Sequence, residues 1–133
     1  MTGIIIASHF TLAESLKETI ELIIGKRENV SSASLSKNEK VENFSERLKN
    51  EVIKLNKDSG VIIFTDMFGG TPSNIALSLF AGDDDVKIIS GFNLPIVIEA
   101  IMHSSKNSDE ILNMLMEHKD KTIVDAKSIF KRR

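Results

Sequence analysis

Short apolar runs recur along this chain, each too brief for a helix and each giving way to a longer amphipathic stretch. Ile4–Ala7 and Val61-Ile62-Ile63-Phe64-Thr65 are built almost wholly of branched or aromatic side chains, with no polar face. A strand made from them needs cover on both sides, which is the situation of a strand inside a mostly parallel sheet. The alternation of such runs with helical patterns therefore points to an α/β architecture.

The helical stretches carry their own punctuation. Thr11 with Glu14 three residues later reads as a capping box, followed by a stripe of Leu12, Leu16, Ile20 and Ile23 and a C-cap at Gly25. Val30–Ser36 reads as a second, serine-rich strand. Val41, Phe44, Leu48, Val52 and Leu55 recur at helical steps, while Glu42, Glu46, Lys49 and Lys54 take the wet side. Gly60 ends that element. After Val61–Thr65, the loop Asp66–Thr71 leads to a helix starting at Pro72, a residue suited to a first turn. Asp83-Asp84-Asp85 reads as an exposed turn before a strand at Val86–Ser90. Helices are expected at Pro95–His103 and Ser108–His118, and a short strand at Thr122–Asp125.

Composition narrows what such a chain can do. Its 133 residues suit one domain, expected to span residues 1–133. Lysine and arginine total 17 against 19 acids, a net charge of −2 that provides no footprint for nucleic acid or an anionic membrane. The absence of cysteine removes disulfides, thiolate zinc sites, iron–sulfur clusters and a cysteine nucleophile. Tryptophan and tyrosine are missing too, which argues against a stacking platform for single strands. No signal-peptide pattern opens the chain, and no apolar run approaches the roughly 18–20 residues of a membrane span. A cytoplasmic protein with no direct membrane insertion is the expectation. Lys131-Arg132-Arg133 reads as a solvated tail. No metal is expected, because the acidic turn lacks a second ligand group, the separation of His103 and His118 fits no metal-ligand spacing, and no acid neighbours His9 in sequence.

In open α/β sheets ligands gather at the carboxyl ends of the strands, where strand order reverses. Three loops leave such ends: Ser8-His9-Phe10, Asp66-Met67-Phe68-Gly69-Gly70-Thr71 and Gly91-Phe92-Asn93-Leu94. Each runs into a helix N-terminus, and three such termini facing one spot would favour a phosphate-sized anion. Neither a Walker lysine motif nor G-x-G-x-x-G occurs, so the usual nucleotide grips are absent. His9 at the end of the first strand is a poor core residue, although strand-end packing alone would also place a histidine there. Asp66 ends the strand expected beside the first. Bonded to one ring nitrogen of His9, it would fix the tautomer and leave the other nitrogen as a nucleophile. His103 and His118 fall near helix ends, where the dipole suits them.

With these loops assembled, the sequence resembles the IIA domain of the mannose family of the bacterial sugar phosphotransferase system. The resemblance rests on Ile4–Ala7 followed by Ser8-His9, on Ile23-Ile24-Gly25 leading to Glu28-Asn29-Val30, on Asp66 through Asn74, and on Gly91-Phe92-Asn93-Leu94-Pro95. It implies a doubly wound, mostly parallel four-stranded sheet with helices on both faces. It also implies an antiparallel C-terminal edge strand, here Thr122–Asp125, exchanged in a homodimer. His9 would accept a phosphoryl group at Nε2 from the histidine-containing phosphocarrier protein and hand it to a IIB component, with no cofactor. Asp66 would orient His9, and Thr71 with Gly69 and Gly70 would hold the phosphoryl oxygens. Phe10, Met67, Phe68 and Asn93 would form the docking rim. Family members often have glycine directly after the histidine, where this chain has Phe10. The chain stops at Arg133 without the linker that precedes IIB in some members, so IIB is expected to be a separate protein.

Three other readings use parts of the same pattern. The phosphotransfer subunit of phosphoenolpyruvate-dependent dihydroxyacetone kinase shares a strand-end histidine but usually lacks the loop seen here as Gly69–Pro72. A response-regulator receiver would use Asp66 as phosphoacceptor, yet needs an acidic pair where this chain has Ala7-Ser8-His9. A flavodoxin-like flavin carrier would want tryptophan or tyrosine beside the ring.

Overall fold

A computed structural model of the chain describes residues 1–132; Arg133, the last residue of the expected tail, lies outside them. The elements run β1 (Gly3–His9), α1 (Leu12–Ile24), β2 (Val30–Leu35), α2 (Val41–Leu55), β3 (Val61–Thr65), α3 (Thr71–Phe80), β4 (Val86–Ser90), α4 (Leu94–Met102), α5 (Ser108–His118) and α6 (Ala126–Lys131). A 3-10 turn at Lys119–Lys121 joins the last two. The four strands are all parallel, in the order β2-β1-β3-β4.

The apolar runs explain themselves once the sheet is built. Alternate residues of β1 enter different cores: Ile4 and Ile6 pack with Ala13, Ile20, Val97, Ile101, Ile111 and Leu115 on the α1, α4 and α5 side. Ile5 and Ala7 pack with Phe44, Leu48, Val52, Ile75 and Ala76 on the α2 and α3 side. In β3, Ile62 and Phe64 join the first core while Val61 and Ile63 join the second. A strand buried on both faces needs apolar residues at every position, and a fully buried aliphatic or phenylalanine side chain contributes about 1.5–3 kcal/mol.

Several expectations are corrected. Thr11 occupies the N-cap of α1 but its side chain makes no capping bond. Ser8 does that work instead, its Oγ accepting from the Ala13 N–H at 2.7 Å. The buried side of α1 is formed by Ala13 and Ile20 with Leu16 and Ile24 against them, so Leu12 and Ile23 are turned to solvent. In α2, Phe44, Leu48, Val52 and Leu55 are buried as expected, while Val41 is exposed at the first position.

Within one chain, Thr122–Asp125 forms no strand. Thr122 Oγ1 donates to Lys119 O at 2.6 Å and bends the chain out of the 3-10 turn, and the Asp125 side chain then accepts from Ser128 N–H at 3.1 Å to start α6. A strand requires a ladder partner for its N–H and C=O groups. Within one chain the segment pairs with no strand, and among the described residues the sheet ends at β4. Lys131 closes α6 and Arg132 caps it, and both are exposed to solvent.

Candidate active site

The chain leaves β1 toward β2 on one side and returns to β3 on the other, so strand order reverses between β1 and β3. Register pairs Ala7 with Thr65, and the next residues out of the sheet carry the chemistry. His9 Nδ1 lies 2.8 Å from Asp66 Oδ2, and the same oxygen accepts the His9 backbone N–H at 3.0 Å. Asp66 Oδ1 accepts the Met67 N–H at 3.1 Å. Three contacts hold one carboxylate, whose side chain is 11% exposed, while the imidazole stands 45% exposed. With Nδ1–H donated to the ionised carboxylate, Nε2 keeps its lone pair.

The ring lies against the start of α3. A Cβ placed on Gly70 would stand 2.8 Å from His9 Cε1 and 3.5 Å from Nε2, so only a residue without a side chain lets the imidazole occupy this place. Gly69 has φ +86°, the left-handed turn that brings Gly70 to the ring. Gly70 caps α3 without a side-chain bond, and Pro72 carries no N–H. The Thr71 and Ser73 N–H groups therefore have no intrahelical partner at a helix N-terminus. The Thr71 hydroxyl also makes no hydrogen bond among the described residues, and the residue is half-buried.

Of the three expected termini, α1 and α4 each have one N–H taken by a side chain, and α3 has none taken. The Ser8 hydroxyl engages the first turn of α1, and Asn93 Oδ1 accepts the Ile96 N–H at 3.0 Å to cap α4. Asn93 Nδ2 donates to Thr122 Oγ1 at 2.9 Å, so each end of its amide makes one bond inside the chain. Phe10, Met67 and Phe68, by contrast, are all exposed, the last at 79%. They flank His9 from two loops. Phe10 has φ +51°, a conformation costly for a bulky L-residue and free for glycine, which gives the departure at this position a physical meaning.

Sequence reasoning missed the hydroxyls beneath the site. Thr65 Oγ1 and Ser90 Oγ lie 2.6 Å apart, and Ser73 Oγ lies 2.8 Å from Ser90 Oγ. This chain of three ties the ends of β3 and β4 to the first turn of α3. Ser8 Oγ likewise donates to His9 O at 2.9 Å while capping α1. Their signal was available: hydroxyl residues at the ends of otherwise aliphatic strands must find partners when buried. His118 bonds Glu99 through Nδ1, away from His9, and serves the α4–α5 pair rather than the site.

Residues 3–116 match the family model EIIA-man, described as PTS system fructose IIA component. The PTS system mannose-specific EIIAB component of Escherichia coli (strain K12) is 29% identical over 117 residues, covering 86% of this chain and 36% of that protein. The chain thus spans about a third of the length of the first curated relatives it matches. The PTS system fructose-specific EIIA component of Bacillus subtilis is 31% identical over 101 residues, 76% of this chain and 69% of that one. Among solved structures, the PTS IIA protein associated with the fucose utilization operon from Streptococcus pneumoniae superposes with a TM-score of 0.87 at 31% identity, covering 97% and 96% of the two chains. By its sequence across both core layers and by its fold, the chain belongs to the EIIA-man family of phosphotransferase-system IIA components.

Proposed function

We propose that this chain is a phosphohistidine carrier: His9 takes a phosphoryl group from the histidine-containing phosphocarrier protein and passes it to the IIB component of a mannose-family sugar uptake system. The carrying observation is the His9–Asp66 pair, with Nδ1 held at 2.8 Å by a carboxylate on an imidazole that remains 45% exposed. The Nε2 lone pair forms the new P–N bond as the donor's P–N bond breaks, and the donor ring takes back its electron pair. Asp66 offsets the charge that the His9 ring gains. Transfer between two histidines is nearly isoenergetic, so alignment and oriented donors suffice. The Thr71 hydroxyl and the N–H groups of Gly69, Thr71 and Ser73 supply those donors, next to the positive end of α3.

A carrier must meet two partners in turn through one exposed nucleophile. Phe10, Met67 and Phe68 form the apolar rim on which both dock. The carrier works in the cytoplasm as a homodimer, in which residues 122–125 of one copy pair along β4 of the other. Exposed Ile123 and Val124 support this, as does the β4 edge, which no strand covers among the described residues. The test is incubation with labelled phosphoenolpyruvate, enzyme I and the phosphocarrier protein. Wild type should take up label that is stable to alkali and labile to acid, and His9→Ala should take up none. Label persisting in the mutant refutes the assignment.

A further inference from the structure

At the opposite end of the sheet from His9, the outer edge of β2 lies in an open groove of about 1020 Å³. Val30 and His9's register partner Leu35 are five residues apart, roughly 16 Å along the strand. Lys17 and Lys26 line the groove from the α1 side, Lys54 and Lys57 from the end of α2, and Glu28 is the one acid among the lining residues. Lys17 bonds Glu21 at 2.6 Å. Lys26, Lys54 and Lys57 make no ion pair among the described residues. In a chain of net charge −2, this is a concentrated positive surface.

The floor of the groove is a strand edge. Ile4 N–H donates to Asn29 O and Phe10 N–H to Leu35 O, both at 2.8 Å, so the odd-numbered residues of β2 face β1. Alternate residues of a strand address opposite neighbours, so Val30, Ser32 and Ser34 direct their backbone groups outward. Two of those groups are engaged: Val30 N–H donates to Arg27 O at 3.4 Å, and Arg47 donates to Ser34 O at 2.7 Å. Val30 C=O, Ser32 N–H, Ser32 C=O and Ser34 N–H remain, donors and acceptors in ladder spacing.

A small anion would use the donors and be repelled by the carbonyls. An extended peptide satisfies both. Its successive side chains would point to opposite faces, where Lys17 and Lys26 wait on one side and Lys54 and Lys57 on the other. A second copy pairing here through the same edge would bring like lysines together. We infer that the β2 edge docks an acidic, extended segment of a partner protein, which adds to the sheet as a strand beside β2.

The probe is a short fluorescein-labelled peptide of interspersed Asp, Glu and Val, compared with its Asn/Gln counterpart by anisotropy and by amide NMR. The acidic peptide should bind at least about tenfold more tightly than the amide one, weaken with added salt, and shift the Ser32 and Ser34 amide signals. Ser32→Pro removes an outward N–H that the fold does not use and should lower affinity about tenfold or more. The combination Lys26→Glu, Lys54→Glu and Lys57→Glu should abolish binding and leave phosphorylation of His9 unchanged. The inference is overturned by no binding, which would leave the lysines as guards of a bare edge. Equal binding of the amide peptide overturns it too. So does full competition by inorganic pyrophosphate with no shift at Ser32 and Ser34, which would mean a small-anion site. Self-association that Ser32→Pro abolishes would mean a second copy. Should Ser32→Pro fail to fold, the lysine variant and the amide shifts decide alone.

Discussion

Replacing Gly70 with alanine tests the site through one methyl group. The new Cβ would stand 2.8 Å from His9 Cε1 and 3.0 Å from Met67 Cγ. Carbon atoms prefer about 3.5–4.0 Å, so the imidazole must retreat by roughly 0.7–1.2 Å if the loop stays in place. The ring is not free to do so, because Nδ1 is tied to Asp66 at 2.8 Å. Gly70 itself has φ −79° and ψ 165°, extended backbone that alanine adopts readily, so the damage falls on the ring rather than on the chain path. A misplacement near 1 Å in a group-transfer site costs about 100-fold in rate. Rapid-quench measurement of His9 phosphorylation by the phosphocarrier protein reads this directly. Gly69→Ala is the control: nothing lies within 4 Å of its Cβ, but its φ of +86° is strained for alanine. That variant should lose about 1–2 kcal/mol of stability, or about 3–6 °C in Tm, which Gly70→Ala should not. A Gly70→Ala protein that transfers at the wild-type rate refutes the reasoning that the backbone of this loop seats the nucleophile.

Other outcomes follow from named contacts. Asp66→Asn keeps the shape of the orienting group but removes its charge, and phosphoryl uptake in single-turnover assays should fall by about 100-fold or more. Ser8→Ala deletes the cap on Ala13 and should cost about 1 kcal/mol in urea unfolding, whereas Thr11→Ala should cost little. The Glu39 carboxyl is held below its ordinary value of 4.5 by the Ser36 N–H first and by Arg47 second. The folded chain therefore binds this proton more weakly than the unfolded chain. Its contribution to stability is fully present above about pH 4.5 and is lost as pH falls through the lower folded value. Carboxyl-detected NMR titration should show Glu39 titrating below an ordinary glutamate, and Glu39→Gln should flatten stability against pH in that acid window.

The elements most legible in the sequence are those whose side chains all answer to one force. β1 and β3 are buried on both faces, and unbroken apolar runs announced them; α2 repeats its buried residues at helical steps and was equally plain. His9 and Asp66 were readable because the adjacency of β1 and β3 follows from the winding of the sheet. What escaped depended on choices between local partners. Ser8 and Thr11 both offer a hydroxyl to the same helix start, and only the path of the His9–Phe10 turn decides that Ser8 reaches Ala13. The bonds of Asn93 to Ile96 and Thr122 depend on where α4 and the segment after α5 come to rest. Thr65, Ser73 and Ser90 lie far apart in the chain, and no spacing rule joins them before the sheet does. Thr122–Asp125 has strand-forming residues, yet strand geometry belongs to a pair and not to a segment.

The central claim is that one imidazole nitrogen, held free by a carboxylate on the other, receives the phosphoryl group. Phosphorus-31 and nitrogen-15 NMR of the chain after incubation with phosphoenolpyruvate, enzyme I and the phosphocarrier protein measures it most directly. The account predicts a single phosphoramidate signal coupled to Nε2 of His9, with Nδ1 still protonated and bonded to Asp66. A phosphorus signal on Nδ1 of His9, or on any other residue, would contradict it.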